Sequence, residues 1–241
     1  VSGKGYELRD YHEAPEFSGF NEYSGDRLPT SQWKERIDYI NSIMAMPYHF
    51  HKTFCKIQNQ RRTSLCWMYG TVAGVANRLA SQGAGFVDLN AYAVGYKYKG
   101  TDRKGGFGLE AAKAINVFGI PEKDEIPEFK KTRDWTEKVQ KSAKRYKIVD
   151  FEEIGKNDLH GAINAILHGY PATFAIESWR HLVLGVGVVY RGNDFGVVYA
   201  NSWGTNHSSG GLGDGYGILW GKKATPYESI VIKHAGAVSE S

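Results

Sequence analysis

Cys66, His181, Asn201 and Gln60 are the residues of this chain whose types, taken together, could break an acyl bond. Cys66 opens a run to Ala80 that is apolar nearly all round and carries the small residues Gly70, Ala73, Gly74 and Ala76. Such a run reads as a buried helix. A thiol at its first residue faces unpaired amide N–H groups and the positive end of the helix dipole, which favour an anion. There the thiol pKa falls and the reactive thiolate becomes populated. His181 follows Trp179 and Arg180 and enters a glycine-punctuated β-forming run to Gly187, while Asn201 opens the segment Asn201, Ser202, Trp203, Gly204. An imidazole can take the thiol proton, and a carboxamide oxygen can fix the tautomer of that imidazole, as the third member of a triad does. Each residue alone also has an ordinary reading: Cys66 as a small core residue, His181 as a hydrogen-bonded core histidine, Asn201 as a turn residue and Gln60 as a solvated loop side chain.

The elements that must position these groups change character along the chain. Residues 1–31 are polar and broken by Pro15, Gly19, Gly25 and Pro29, which reads as an irregular arm. Trp33, Ile37, Ile40 and Ile43 fall at helical spacing, so a short amphipathic helix is expected over 33–43. The Cys66 helix closes near Gly83. Two more helices are expected over 89–96 and 109–118, the second ended by Gly119 and Pro121, with Gly100, Gly105, Gly106 and Gly108 in the loop between. A further helix covers 158–167. After it come short β-forming runs at 172–176, 182–190, 196–200 and 216–220, separated by glycines. Helices first and strands later point to an α+β architecture of two unlike lobes.

Composition narrows the function classes. The chain has 241 residues, 41% hydrophobic and 23% charged, with aromatics at 13%, as a well-filled globular core needs. A net charge of +4 is too mild to imply nucleic acid or membrane as a partner, and no stretch approaches the roughly eighteen apolar residues of a membrane span. The basic stretch from Lys130 to Lys147 carries eight basic residues against two acidic ones and is read as a solvated face, since no base-stacking module accompanies it. Cys55 and Cys66 are the two cysteines, without CxxC or HxxxH partners, so neither a disulfide scaffold nor a structural zinc site is expected. His49 and His51 lie two apart, but no acidic or cysteine cluster adjoins them, and they are read as surface residues. No metal and no cofactor is implied. The chain opens on Val1 rather than Met, as a processed or truncated end would, and its first twenty residues lack the apolar core of a signal peptide.

In combination the four site residues resemble the papain-like cysteine peptidases. Gln60, five intervening residues, then Cys66 and Trp67 match that family's spacing from oxyanion-hole glutamine to nucleophile. His181 to Gly187 matches its histidine followed by an apolar strand, and Asn201 to Gly204 its Asn-Ser-Trp-Gly motif, with a later Gly-Tyr at Gly215 and Tyr216. Gly105 and Gly106 match its double glycine on the substrate cleft. The blocks span roughly residues 52–220, in the family's order. The resemblance implies a mainly helical lobe over 32–128 carrying the nucleophile, a β-barrel lobe over 129–241 carrying His181 and Asn201, and a groove between them. It implies that Cys66 attacks the scissile carbonyl, that His181 is base and then acid, that Asn201 orients His181, and that Trp203 shields their hydrogen bond. Gln60 and the Cys66 amide would bind the oxyanion. Gly105 and Gly106 would let an extended polypeptide substrate approach, and Gly108, Leu182 and Trp179 would line a pocket with a bulky apolar preference. The resemblance also implies a propeptide or inhibitor as a partner, although no helix long enough to fill the cleft is visible, and no oligomeric state is readable.

The chain also departs from the family's pattern. Thr63 and Arg103 stand where the family has a bridged cysteine pair, so the site loop must be held by packing. That loss leans away from a lysosome and toward a reducing or disulfide-independent setting, and leaves Cys55 as a buried free thiol. His181 follows Cys66 by 115 residues, short of the roughly 130–150 expected. Leu65 replaces a small residue before the nucleophile, and Arg180 replaces an Asp or Asn beside the histidine. A cation there would disfavour the imidazolium, unless Arg180 points to solvent. Three readings follow: a cysteine endopeptidase, a papain-fold module that binds extended peptides or serves structurally, and a Cys-His hydrolase of cell-wall peptides or isopeptide bonds.

Overall fold

A computed structural model describes residues 5–10, 24–43 and 56–236. Cys55, His49 and His51 lie outside these residues. Helix α1 (Thr30–Ile43) begins three residues before the expected start at Trp33 and buries Trp33 and Ile37. Ile43, counted above as part of the apolar stripe, is exposed. Helix α2 (Cys66–Leu79) is buried along nearly its whole length. It runs on into a π-helical turn, Ala80–Ala84, that contains left-handed Gly83 (φ 91°), a conformation glycine adopts without steric cost.

Helices α3 (Ala91–Lys99) and α4 (Gly108–Phe118) follow where the sequence places them. Asn90 caps α3, its side chain accepting from the Ala93 N–H at 3.0 Å. The basic stretch folds in part into a short helix, α5 (Glu137–Ala143), which periodicity did not announce. Trp135, Val139 and Ala143 bury one side of that stretch, while its lysines face solvent. Strand β1 (Lys147–Ile154) precedes α6 (Leu159–Leu167), whose N-cap Asp158 accepts from the Gly161 N–H at 2.8 Å.

Strands β2 (Ala172–Ile176), β3 (His181–Arg191), β4 (Asp194–Ala200), β5 (Tyr216–Trp220) and β6 (Ser229–Gly236) complete one six-stranded sheet in the order β1-β6-β2-β3-β4-β5. Neighbouring strands pair antiparallel. The unbroken apolar run of β3 is explained by cover on both faces. Val183 and Phe174 belong to a core shared with α1 and α6, whereas Leu182 and Leu184 face α2.

Small residues on α2 set how closely it approaches the sheet. A methyl built on Gly70 would lie 2.3 Å from Leu182 Cδ2, and one on Gly74 would lie 2.6 Å from Ile232 Cδ1. Larger residues there would hold helix and sheet apart, and with them Cys66 and the start of β3.

Candidate active site

Leu65 occupies the N-cap position of α2 and offers no side-chain hydrogen bond to the first turn. The N–H groups of a helix start that has no capping side chain remain available to an acceptor. Here the acceptor is the Cys66 sulfur, which takes backbone hydrogen bonds from Trp67 and its own amide, and further ones from Leu182 and Gly5. Leu65, larger than the resemblance leads one to expect before Cys66, fits because α3 presents Gly95 to it: a methyl there would sit 3.1 Å from Leu65 Cδ1.

His181 opens β3 opposite Ile176. Its Nε2 lies 3.0 Å from Asn201 Oδ1, and that same oxygen accepts the Ser202 N–H at 2.7 Å. An atom that accepts from a backbone amide is the oxygen of the carboxamide, so Nε2 must donate and carry the proton. Neutral His181 therefore presents an unprotonated Nδ1, which is buried and has no hydrogen-bond partner. Trp203 stacks on the imidazole with ring centroids 4.1 Å apart and planes 26° apart. Arg180, in a left-handed conformation at φ 50°, is exposed, and the displacement of the His181 pKa is explained by burial and by Asn201.

Gln60 reaches this turn along the backbone. Its N–H donates to Ser202 C=O at 2.8 Å, and Gly204 N–H donates to Gln58 C=O at 3.0 Å. The fully buried Gln60 carboxamide donates from Nε2 to Thr63 C=O at 2.8 Å and accepts from Ser202 Oγ at 2.6 Å. In place of the family's bridge, Ser64 N–H donates to Asp102 C=O at 2.7 Å, and Tyr92 OH donates to the Asp102 carboxylate at 3.0 Å.

The groove is occupied by the chain itself. Residues 5–10 run through it as an extended segment whose Tyr6 forms a parallel bridge with Gly106. Glu7 N–H donates to Gly106 C=O at 2.9 Å, Gly106 N–H to Gly5 C=O at 2.9 Å, and Tyr6 N–H to Arg180 C=O at 3.1 Å. Gly105 permits this approach: a methyl on it would lie 2.3 Å from Gly5 C=O. No helix of this chain was expected to fill the cleft. An extended strand fills it instead, which needs only a backbone edge to pair with.

Tyr6 packs with Cys66, Ala175 and Leu182, with Leu8, Phe107 and Tyr227 at the margin. Gly108 adjoins this pocket through its N–H, which donates to Glu228 at 2.8 Å. Trp179 lies elsewhere, in a surface pocket shared with Tyr199, Trp203 and His207. Glu228, Tyr6 and Arg9 had no motif to mark them in the sequence.

With the arm seated, Cys66 and His181 are fully buried. Burial pushes the Cys66 thiol up to about 11 against its four backbone hydrogen bonds. Burial also pushes His181 down to about 4, against the bond to Asn201. In this state both groups are neutral at pH 7.

No family model matches the chain, and no curated protein matches it. Solved structures do. Procathepsin L 3 of Tenebrio molitor larval midgut is 16% identical over 98% of this chain and 76% of its own, with a TM-score of 0.66. The proform of Amb a 11, a ragweed pollen cysteine protease, is 17% identical over 96% of this chain and 77% of its own, at 0.65. Bromelain from Ananas comosus, in complex with the E64 inhibitor, is 18% identical over 79% of this chain and 97% of its own, at 0.62. Helices packed on an antiparallel sheet, with these neighbours, give the chain the papain-like α+β fold of the cysteine proteases.

Proposed function

We propose that the protein is a cysteine endopeptidase that cuts extended polypeptides through Cys66, with residues 5–10 as a built-in occupant of its cleft. The observation that carries the reading is the His181–Asn201 bond, which leaves Nδ1 without a partner one residue before Leu182, whose backbone bonds to the Cys66 sulfur at the start of α2. Release of the arm admits water and substrate, and both pKa values relax toward each other. Nδ1 then takes the thiol proton, and the thiolate attacks the scissile carbonyl carbon. The tetrahedral oxyanion is held by the Cys66 N–H and the Gln60 carboxamide. The imidazolium passes its proton to the leaving amine, and water, deprotonated by Nδ1, hydrolyses the thioester. Asn201 keeps the ring in the required tautomer throughout, and Trp203 covers its hydrogen bond.

The test is an epoxide thiol trap of the kind bound by the bromelain neighbour. Modification of Cys66 in folded protein near neutral pH, with Cys55 spared and peptide hydrolysis lost in parallel, is the expected result. Cys66 that reacts with a general alkylating reagent but never with the epoxide favours a peptide-binding module instead.

The arm gives a separate expectation. A methyl on Gly5 would lie 2.0 Å from the Ser64 carbonyl oxygen, a backbone atom. Overpacking of this kind costs about 1–3 kcal/mol, and each 1.4 kcal/mol is about tenfold in a population. Gly5→Ala should therefore raise the rate of Cys66 alkylation by about tenfold or more, followed by mass mapping of the modified peptide.

A further inference from the structure

Taken alone, the basic stretch that begins at Lys130 is a solvated face. The fold brings cations from elsewhere in the chain beside its first residues. The Arg61 guanidinium lies 4.1 Å over the ring of Phe129. The Lys131 ammonium lies 3.7 Å from the carboxylate of Asp102, the residue just before Arg103 and Lys104. Arg133 donates from Nε to Lys97 C=O at 3.0 Å. Three loops far apart along the chain are thus tied into one rim, on which Arg61, Arg62, Arg103, Lys104, Lys131 and Arg133 are all exposed. The acids of these loops offset that charge little. Asp102 and Glu128 are half-buried and accept from the hydroxyls of Tyr92 and Tyr69, each at 3.0 Å, which leaves Asp134 as the exposed one. The rim borders the groove: Arg61 and Arg62 follow Gln60, and Lys104 precedes Gly105. The arm carries an acid to this border. Glu7 is exposed, and its Cγ lies 2.8 Å from where a methyl on Gly105 would stand.

We propose that this basic rim, outside the cleft, is a docking surface for acidic runs of polypeptide substrates, on the acyl side of the bond that is cut. The proposal rests on the cleft being a site of peptide cleavage. In that reaction His181 hands its proton to the leaving amine, so the leaving half of the substrate lies on the histidine's side. The acyl half then runs along Gly105 and Gly106, where the rim begins. A backbone paired with that edge carries its side chains past Lys104, as the arm carries Glu7. Carboxylates delivered in this way suit guanidinium groups, whose paired N–H donors match both oxygens. Each exposed ion pair is individually weak. Six cations against one exposed acid nonetheless sum into a field of one sign, which speeds encounter with an acidic segment and disfavours a basic one.

Binding to the full chain, arm included, tests this without turnover. Two short fluorescent peptides, one a run of Glu and the other a run of Gln, are followed by anisotropy as salt is raised. The Glu peptide should bind at least about tenfold more tightly at low salt, and the margin should shrink as the screening length falls from about 30 Å at 0.01 M to about 8 Å at 0.15 M. Arg103→Gln together with Lys104→Gln should weaken binding of the Glu peptide by about three- to tenfold with an unchanged urea midpoint, and the corresponding pair of Glu replacements should weaken it further. Equal binding of the two peptides would overturn the proposal, as would an affinity for the Glu peptide that neither double variant moves. A sulfated oligosaccharide or a DNA oligonucleotide of equal charge that binds more than about tenfold tighter than the Glu peptide would also overturn it, in favour of a glycan or a nucleic acid. Should the double variants fail to fold, the two peptides and their salt dependence decide alone. Charge-selective binding by a chain that never reacts with the epoxide trap keeps the docking surface and loses the peptidase reading.

Discussion

Replacing His181 with Ala, in a Gly5→Ala background that opens the cleft, is expected to lower peptide turnover by about 10⁴-fold or more. The magnitude follows from the number of steps that run through one nitrogen. In the proposed mechanism His181 Nδ1 takes the thiol proton, protonates the leaving amine and activates water, while Nε2 is held by Asn201. In the proposed mechanism Gln60 is one of two oxyanion donors, so Gln60→Ala should cost about 10²–10³. The ordering of the two variants is the informative part. Initial rates on an extended peptide substrate, with urea midpoints to confirm that each variant is folded, would check it. Equal losses from both would mean that His181 acts only through packing.

The second large effect concerns acid stability. His181 falls from 6.5 to about 4 on folding, because burial penalises its charged form. The unfolded chain thus binds a proton that the folded chain refuses, and stability is lost as pH drops from about 6.5 to about 4. Glu228 rises from 4.5 to about 7 on folding, also through burial. Here the folded chain holds a proton that the unfolded chain has released, so stability is lost as pH rises from about 4.5 to about 7.

Between about 4.5 and 6.5 the two slopes oppose each other, at roughly 1.4 kcal/mol per pH unit each. The parent protein should be nearly flat there with respect to this pair. Glu228→Gln removes one slope and exposes the other, so the variant should lose roughly 2–3 kcal/mol relative to the parent between pH 6.5 and 4.5. Glu153, raised by burial against Arg9, titrates in both proteins and is also among the charges that push Glu228 up. Urea unfolding at half-unit pH steps measures the difference. Parallel profiles for parent and variant would show that Glu228 is not protonated on folding.

How much of this was legible beforehand depended on whether the signal was local. The α2 run from Cys66, the α4 run ended by Gly119 and the β3 run from Leu182 carry their pattern in adjacent residues, and the structure forms all three. The His181–Asn201 bond was readable as a pairing of types, although the tautomer it sets needed the second contact of Oδ1 with Ser202. Strand β1 was missed because Asp150, Glu152 and Glu153 interrupt any apolar alternation, and its partner β6 includes Lys233 and His234. Neither announces itself until the two pair along the sheet edge.

Long-range chemistry was the least visible. Glu228 matters because a helix start 119 positions earlier along the chain and a tyrosine 222 positions earlier both point donors at it. Nothing near it in sequence says so. The pocket residues divide for the same reason: Leu182 and Gly108 lie close to Tyr6 and Glu228, while Trp179 turns toward Tyr199, with ring centroids 5.7 Å apart.

The link between Ser64 and Asp102 has a practical corollary. Where relatives would fasten this loop with sulfur, the chain uses an amide and a carbonyl, backed by the phenol of Tyr92. Thiol reductants cannot cleave such a fastening. Strong dithiol can keep Cys66 from oxidising during purification and assay without loosening the very segment that presents it.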